Sequence, residues 1–156
     1  MDKQELYEKW VDKVCQYIES VGPEINCTSC AMQSKPVLDK SPQVVFLGYN
    51  AHEPFPYQGA NKERFYEGNP YFYTEREKWP VWGKLYAAMK WAKFTEPMED
   101  GNFVFMNAVY FGSQDIKGLK AKKGSAEIIN QCLDFSAEVI KDIYHPKVVV
   151  CFSIPD

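Results

Sequence analysis

The chain has 156 residues, of which 46% are hydrophobic and 15% aromatic, and its formal net charge is −3. This length predicts a single domain, residues 1–156, and the charge excludes a general attraction to nucleic acid, so nucleic-acid binding requires a local basic patch. No stretch is long and apolar enough to span a membrane, and the charged start of the chain is unlike a secretory signal, so we expect neither a membrane protein nor a secreted one.

A first helix is predicted over residues 3–21. Asp2 and Glu5 have the spacing of a capping box, and apolar residues recur behind them at helical spacing. Gly22 and the proline that follows it are expected to end this helix. Residues 23–42 show little periodicity, which predicts a loop.

Cysteine usage bears on the cellular compartment and on metal binding. The five cysteines are an odd number without the spacing of a disulfide framework, so we expect a cytoplasmic protein. Cys27 and Cys30 form half of a metal or iron–sulfur site. The other half needs two more ligands, and no further cysteine occurs before Cys132. We therefore predict no bound metal and no other cofactor.

The first strand is predicted at residues 43–48, which contain four apolar residues in a row. Polar Asn50 and His52 follow directly after Gly48. In an open α/β sheet, ligands bind beyond the carboxyl ends of the strands. The turn is therefore either a binding site, with His52 as a general acid or base, or an ordinary solvated turn after a core strand.

Residues 51–78 are dense in aromatic residues, prolines, glycines and charge. Loops of this length are uncommon in a compact domain and are usually functional or mobile. The aromatic side chains either supply a stacking floor for a base, since every base has a flat face, or pack on one another at the surface. A second helix is predicted next, from Pro80 to about residue 93, because proline suits the first helical turn.

The second predicted strand, residues 103–106, also ends on an asparagine. If the two strands are neighbours in a parallel sheet, Asn50 and Asn107 open toward the same edge. A side-chain amide offers one acceptor and two donors, which suits the edge of a polar ring such as a pyrimidine. The alternative is that asparagine is simply a common turn residue after a strand.

A polar and basic segment follows at residues 112–123. If it lies at the same edge as the two asparagines, its lysines are placed to contact nucleic-acid phosphates; otherwise it is a solvated loop. The lysines concerned are Lys117, Lys120, Lys122 and Lys123.

A third helix, about residues 125–143, and a third buried strand, residues 147–152, complete the predicted pattern. Helices that connect consecutive apolar strands argue for a parallel sheet with helices on both faces. The sequence therefore predicts the α/β class, a three-layer α/β/α arrangement with a central parallel sheet. Its core is expected in residues 43–156, preceded by the helix and loop of residues 1–42.

Two of these strand ends resemble motifs of the uracil-DNA glycosylase superfamily. The stretch Gly48-Tyr49-Asn50-Ala51-His52 stands where that family has Gly-Gln-Asp-Pro-Tyr-His in one branch and Gly-Met-Asn-Pro-Gly in the single-strand-selective branch. The stretch Phe105-Met106-Asn107-Ala108-Val109 is similar to the family's Leu-Leu-Asn-Ala-Val. The third strand also resembles the family's in order and spacing, so the resemblance covers about residues 43–153.

The resemblance implies a four-stranded parallel sheet and hydrolysis of the bond between uracil, or a related damaged base, and deoxyribose after the base is flipped out of DNA. By position, Asn50 would place or polarise the attacking water, and Asn107 would bind the uracil edge and reject cytosine. One aromatic residue of positions 71–73 would stack on the base. The predicted site residues are Asn50 and His52 for catalysis, Gly48, Tyr49, Phe72 and Asn107 for base binding, and Lys117, Lys120, Lys122 and Lys123 for DNA.

The chain also departs from the family pattern, since Ala51 replaces the usual proline and no fourth strand or later histidine loop is recognised. In the family, that loop stabilises the departing uracil anion. Stabilisation of this kind is worth roughly 3 to 4 kcal/mol, so its loss predicts a poor catalyst. The alternative function is therefore an inactive binding module for nucleic acid, a nucleobase or a protein partner. A further alternative is an unrelated α/β protein with chance motifs.

The missing fourth strand also affects the expected partners. Without it the third strand is an exposed edge, which predicts either a truncated form of a longer protein or a homodimer that pairs through this edge. DNA, single- or double-stranded, is the other expected partner, and no membrane partner is expected.

Overall fold

The fold is built on three strands and seven α-helices in the part of the chain that the structure describes. The structure is a computed structural model and describes residues 1–152. A 3-10 turn at Arg76–Lys78 precedes the fourth helix, and a π-helical turn at Val139–Tyr144 extends the last one. The helices are α1 (Lys3–Ile25), α2 (Arg64–Glu67), α3 (Pro70–Glu75), α4 (Pro80–Trp91), α5 (Glu96–Asp100), α6 (Ile116–Lys120) and α7 (Ser125–Glu138), and the strands are β1 (Val44–Gly48), β2 (Phe103–Asn107) and β3 (Val148–Cys151).

The sheet is parallel, with the strand order β2-β1-β3. Side chains alternate between its two faces, so that Val45 and Val104 belong to a core shared with α1 and α7, whereas Phe46 and Phe105 belong to a second core shared with α4. The predicted α/β class, with a central parallel sheet and helices on both faces, is thereby confirmed. No helix among the described residues has the length and apolar character needed to cross a membrane.

Helix α1 begins as predicted and ends later than predicted. The Asp2 carboxylate accepts from the Glu5 backbone N–H at 2.8 Å, which confirms the capping box. The helix nevertheless continues through Pro23 to Ile25. A proline near the last turn removes few helical hydrogen bonds, and the buried Ile25 side chain, 2% exposed, gains core contacts in return. The left-handed Asn26 then caps the helix.

The outer edge of β2 is covered by residues 29–34, which were predicted to be loop. Met32 pairs with Met106 in an antiparallel bridge, and the Gln33 N–H donates to the Phe105 carbonyl at 2.9 Å. The Ser34 hydroxyl accepts from the Phe105 N–H at 2.7 Å. This pairing is too short and irregular to produce an alternating pattern in the sequence, so periodicity did not predict it.

The other edge of the sheet, at β3, is uncovered among the described residues. The Val148 N–H donates to Gln43 and the Phe152 N–H to Leu47, so in this parallel pair the backbone groups of Val149 point away from β1. Val148 and Val149 are each 40% exposed. The prediction that β3 is buried is therefore wrong, because no helix of residues 1–152 packs over its outer side, and the prediction of an exposed edge is confirmed for these residues. The expected absence of a fourth strand concerns residues 153–156, which lie outside the described residues.

The aromatic segment at residues 51–78 is partly helical rather than a loop. It contains α2 and α3, each anchored by one buried phenylalanine, Phe65 at 1% and Phe72 at 0% exposure. Asn69 caps α3 by accepting from the Tyr71 N–H at 3.1 Å, and Pro70 occupies the first helical position. Helices of one or two turns are too short for hydrophobic periodicity to reveal them, although the Asn-Pro pair was a local signal for a helix start.

Candidate functional site

A pocket of about 520 Å³ opens at the carboxyl ends of β1 and β2. The last residues of the two strands, Gly48 and Asn107, are register partners and both line it. The position agrees with the general rule that open parallel sheets bind ligands beyond their carboxyl ends. The polar residues that line the pocket are Gln33, Asn50, His52, Glu53, Asn69, Glu75 and Asn107.

The side-chain amide of Asn50 has a single orientation. Its Nδ2 donates to the Phe111 carbonyl at 3.0 Å and to the Ser113 hydroxyl at 2.8 Å. A backbone carbonyl only accepts, and the Ser113 hydroxyl uses its own hydrogen on the Asp115 carbonyl, so both partners require the nitrogen of Asn50. Asn50 Oδ1 has no hydrogen-bond partner among the described residues and remains available to the pocket that Asn50 lines.

Asn107 is held in a similar way. Its Nδ2 donates to the Cys30 carbonyl at 2.8 Å, and the residue is only 5% exposed. Its Oδ1 lies on the side of Gly48, since a Cβ atom at Gly48 would come within 3.3 Å of this oxygen and within 3.1 Å of the Phe152 ring. A side chain at Gly48 would therefore crowd the carbonyl end of Asn107, and glycine keeps that end open.

The turn after β1 is held by an ion pair. Arg64 binds the Glu53 carboxylate with both terminal nitrogens, at 2.8 and 3.0 Å, and its Nε donates to the Met32 carbonyl at 3.0 Å. The two side chains are only 12% and 24% exposed. A bidentate, partly buried pair restrains geometry more strongly than a surface pair does. His52, beside Glu53, is exposed and lines the pocket.

Two amides extend this ion pair along the pocket. Gln33 Oε1 accepts from Arg64 Nη2 at 3.3 Å and from Asn69 Nδ2 at 3.0 Å. Gln33 comes from the segment that covers β2, and Asn69 caps α3. Gln33 is more than 30 residues from Arg64 and Asn69 in the sequence, and none of these three residues was predicted to belong to the site.

Aromatic rings form the remaining walls. Phe105 and Phe152 stack with their ring centroids 5.4 Å apart and an interplanar angle of 11°. Trp79 and Tyr71 line the pocket too, and Tyr71 is 63% exposed. These are the rings that a planar ligand in the pocket would meet.

No protein-family model, curated protein or solved structure significantly matches this chain. The functional assignment therefore depends on the geometry of the pocket and on the motifs in the sequence.

Two predicted base-binding residues lie outside the pocket lining. Phe72 is fully buried and packs on Phe105, with centroids 5.5 Å apart, because it lies on the side of α3 that faces the sheet. Tyr49 packs against the core shared with α1 and α7, on the opposite face of the sheet from Gly48. By contrast, the structure brings Gly48, Asn50, His52 and Asn107 together in the lining of one pocket.

The four predicted DNA-contacting lysines are exposed but do not line the pocket. Lys122 donates to the Ile25 carbonyl at 2.9 Å, where it interacts with the carboxyl end of α1. The Lys120 Nζ lies 5.9 Å from the centre of the Tyr49 ring. The remaining two, Lys117 and Lys123, lie in and just after α6.

The Cys27 and Cys30 side chains are both buried as free thiols. Burial, together with the nearby Glu53 carboxylate, raises the pKa of Cys30 to about 12. A thiol must lose its proton to bind a metal, so this environment disfavours metal binding by Cys30. Within residues 1–152 there is no group of three or more His, Cys, Asp or Glu side chains arranged to hold a metal ion.

Proposed function

We propose that the pocket binds a pyrimidine base and that the protein hydrolyses the N-glycosidic bond of uracil, or of a related damaged base, in DNA. The observation that carries the proposal is the arrangement of Asn50 and Asn107. The side-chain Nδ2 of each asparagine donates a hydrogen bond to a backbone carbonyl, and the Oδ1 of each remains available at the same pocket. The resemblance of both strand ends to glycosylase motifs supports the same conclusion.

The proposed choice of uracil follows from hydrogen-bond chemistry at Asn107. Uracil carries a hydrogen on N3, which Asn107 Oδ1 can accept, whereas N3 of cytosine has no hydrogen and repels an acceptor. Leaving a buried polar group unpaired costs about 1–3 kcal/mol, so a single such contact discriminates between the two bases. Stacking on the aromatic walls adds affinity without distinguishing one base from another.

In the proposed reaction, Asn50 Oδ1 accepts a hydrogen bond from water and holds its oxygen toward the sugar carbon. The bond from that carbon to the base breaks, its electron pair leaves with the base, and the water oxygen forms the new bond. The amide is neutral and removes no proton, so its contribution is orientation. His52, exposed at the pocket, is the candidate that takes up the proton released by water.

The test is incubation with a uracil-containing oligonucleotide followed by alkaline cleavage. We expect strand breaks at the uracil position with the wild-type protein and a loss of at least about 100-fold for Asn50→Ala. Asn130→Ala is the matched control, because Asn130 is an exposed residue of α7 outside the pocket. Absence of strand breaks at a large excess of protein, on both single- and double-stranded substrates, would disprove excision.

A binding module without catalysis is the second candidate. Among the described residues that line the pocket there is no lysine or arginine, and the carboxylates of Glu53 and Glu75 are present. A departing base anion would find little positive charge there. In that case the protein binds a uracil-containing oligonucleotide without cleaving it, and Asn107→Ala, which removes the acceptor, weakens the binding.

A further inference from the structure

Gln33 is a nearly buried polar residue of the pocket, and only the oxygen of its side-chain amide has a hydrogen-bond partner among the described residues. The residue is 8% exposed and lines the pocket. Its Oε1 accepts two hydrogen bonds, whereas its Nε2 donates to no described residue. This nitrogen is not one of the described side-chain atoms that are buried without a partner, so it remains accessible from the pocket that Gln33 lines and is available for a ligand.

The orientation of this amide is determined by donors that cannot reverse. Gln33 Oε1 faces the Arg64 guanidinium, which can only donate. It also faces Asn69 Nδ2, and the Asn69 amide is itself oriented because its Oδ1 accepts from the Tyr71 backbone N–H. Nε2 of Gln33 is therefore the end of the amide that does not contact Arg64 or Asn69, and it belongs to a residue that lines the pocket.

The backbone brings this donor close to Asn107. The Asn107 N–H donates to the Ala31 carbonyl at 2.8 Å, and the Gln33 N–H donates to the Phe105 carbonyl at 2.9 Å. The two segments run antiparallel. Gln33 and Asn107 are thus diagonal neighbours on one face of the sheet. Such neighbours lie roughly 7–8 Å apart, within reach of one small ring between their side chains.

We propose that Gln33 is a specificity-determining residue that donates from Nε2 to a ring carbonyl next to the N–H bound by Asn107 Oδ1. This inference rests on the proposed base pocket and names its ligand class: planar rings with an N–H beside a C=O, as in uracil. Cytosine presents the reverse pattern, an unprotonated ring nitrogen beside an amino group. Both contacts are then unfavourable at once, which excludes cytosine more strongly than Asn107 does alone.

The experiment is an NMR titration of ¹⁵N-labelled protein with free uracil and, separately, free cytosine. The side-chain amide signals of Gln33 are expected to shift with uracil and not with cytosine. Gln33→Glu replaces the donor by an acceptor and is expected to lower the ratio of uracil to cytosine affinity by at least about tenfold. Gln58→Glu, the same change at an exposed residue, is the control and should leave the ratio unchanged.

The ratio is measured on folded protein, so partial unfolding of a variant does not imitate the effect. If Gln33→Glu does not fold, Gln33→Met removes the donor without adding charge and should also lower the ratio. A ratio that stays constant in the Gln33 variants but falls in Asn107→Ala, which removes the Oδ1 acceptor, overturns the role of Gln33 and leaves the base pocket standing. No response of the wild-type pocket signals to uracil overturns both.

Discussion

At the scale of single residues, the candidate site depends on which end of each side-chain amide faces the pocket. Asn50 and Asn107 give their nitrogens to backbone carbonyls, whereas Gln33 gives its oxygen to Arg64 and Asn69. The pocket therefore has acceptors at the asparagines and a donor at the glutamine. Complementarity to a lactam edge follows from these orientations and not from the residue types alone.

The aromatic residues at positions 71 and 72 allow a direct test of the walls. Phe72→Ala is expected to lower the free energy of unfolding by about 3–5 kcal/mol, because Phe72 is fully buried. Tyr71→Ala should change it by less than about 0.5 kcal/mol, since Tyr71 is 63% exposed, but should weaken uracil binding. Urea denaturation and the uracil titration measure the two effects. Weakened binding in a folded Phe72→Ala protein, with Tyr71→Ala unaffected, would contradict this assignment.

At the scale of elements, the pocket is assembled by short segments that cross one another. Residues 29–34 bring Gln33 to the edge of β2, and the turn before α3 brings Asn69 to Gln33. The Asn69 backbone N–H donates to the Gln33 carbonyl at 2.9 Å, so both the backbone and the side chain of Asn69 bind Gln33. The close approach is possible because Gly68 has no side chain.

Gly68→Ala is expected to disturb this crossing. Gly68 has a φ of +71°, and a Cβ atom there would lie 2.7 Å from the Ser34 carbonyl carbon and 2.8 Å from the Gln33 oxygen. The strain and the clash with backbone together should cost more than about 2 kcal/mol of unfolding free energy and weaken uracil binding.

Gly101→Ala provides a control at another glycine with a positive φ. Its φ is +78°, and a Cβ atom there meets nothing within 4 Å. The ψ of Gly101 is 9°, in the left-handed helical region, whereas the ψ of Gly68 is −165°, so Gly101→Ala carries a milder backbone strain and no clash, and uracil binding should be retained. Equal losses of stability and of binding in both variants would show that crowding at Gly68 is unimportant.

At the scale of the whole molecule, the two edges of the sheet differ. Residues 29–34 cover β2, whereas β3 exposes Val148 and Val149 together with unpaired backbone groups among the described residues. An uncovered edge strand readily pairs with another strand. We expect the protein to form a homodimer through β3, which would leave the pocket at the carboxyl ends of β1 and β2 open.

Val149→Lys should convert such a dimer to a monomer, because a charged residue on an edge strand opposes pairing. Leu133→Lys is the matched control, since Leu133 is also 40% exposed but lies on α7. Size-exclusion chromatography with light scattering distinguishes the two states. A wild-type protein that stays monomeric at high concentration would rule out pairing through β3.

Much of the site was predictable from local patterns. Asn50, His52 and Asn107 follow apolar strands, and parallel strands bring their carboxyl ends to one edge, so their meeting at the pocket followed from the predicted topology. Phe72 was assigned wrongly because adjacent residues on a helix of fewer than two turns face different sides, and the sequence does not reveal which side meets the sheet. Arg64 and Gln33 were not predicted, because a contact between side chains that are distant in the sequence produces no periodic pattern in it.

The sequence by itself determined the class of the fold, the order of its main elements and two of the amides at the candidate site. Hydrophobic periodicity and capping act over a few residues, so they can be read locally. Only the tertiary structure decided which atoms of those amides face the pocket, that Tyr71 rather than Phe72 lines it, and that Gln33 supplies a donor. Each of these features depends on partners that are distant in the sequence. At the turn after β1, for example, Phe111 and Ser113 bind the nitrogen of Asn50 and so leave its oxygen as the hydrogen-bonding atom available to a ligand.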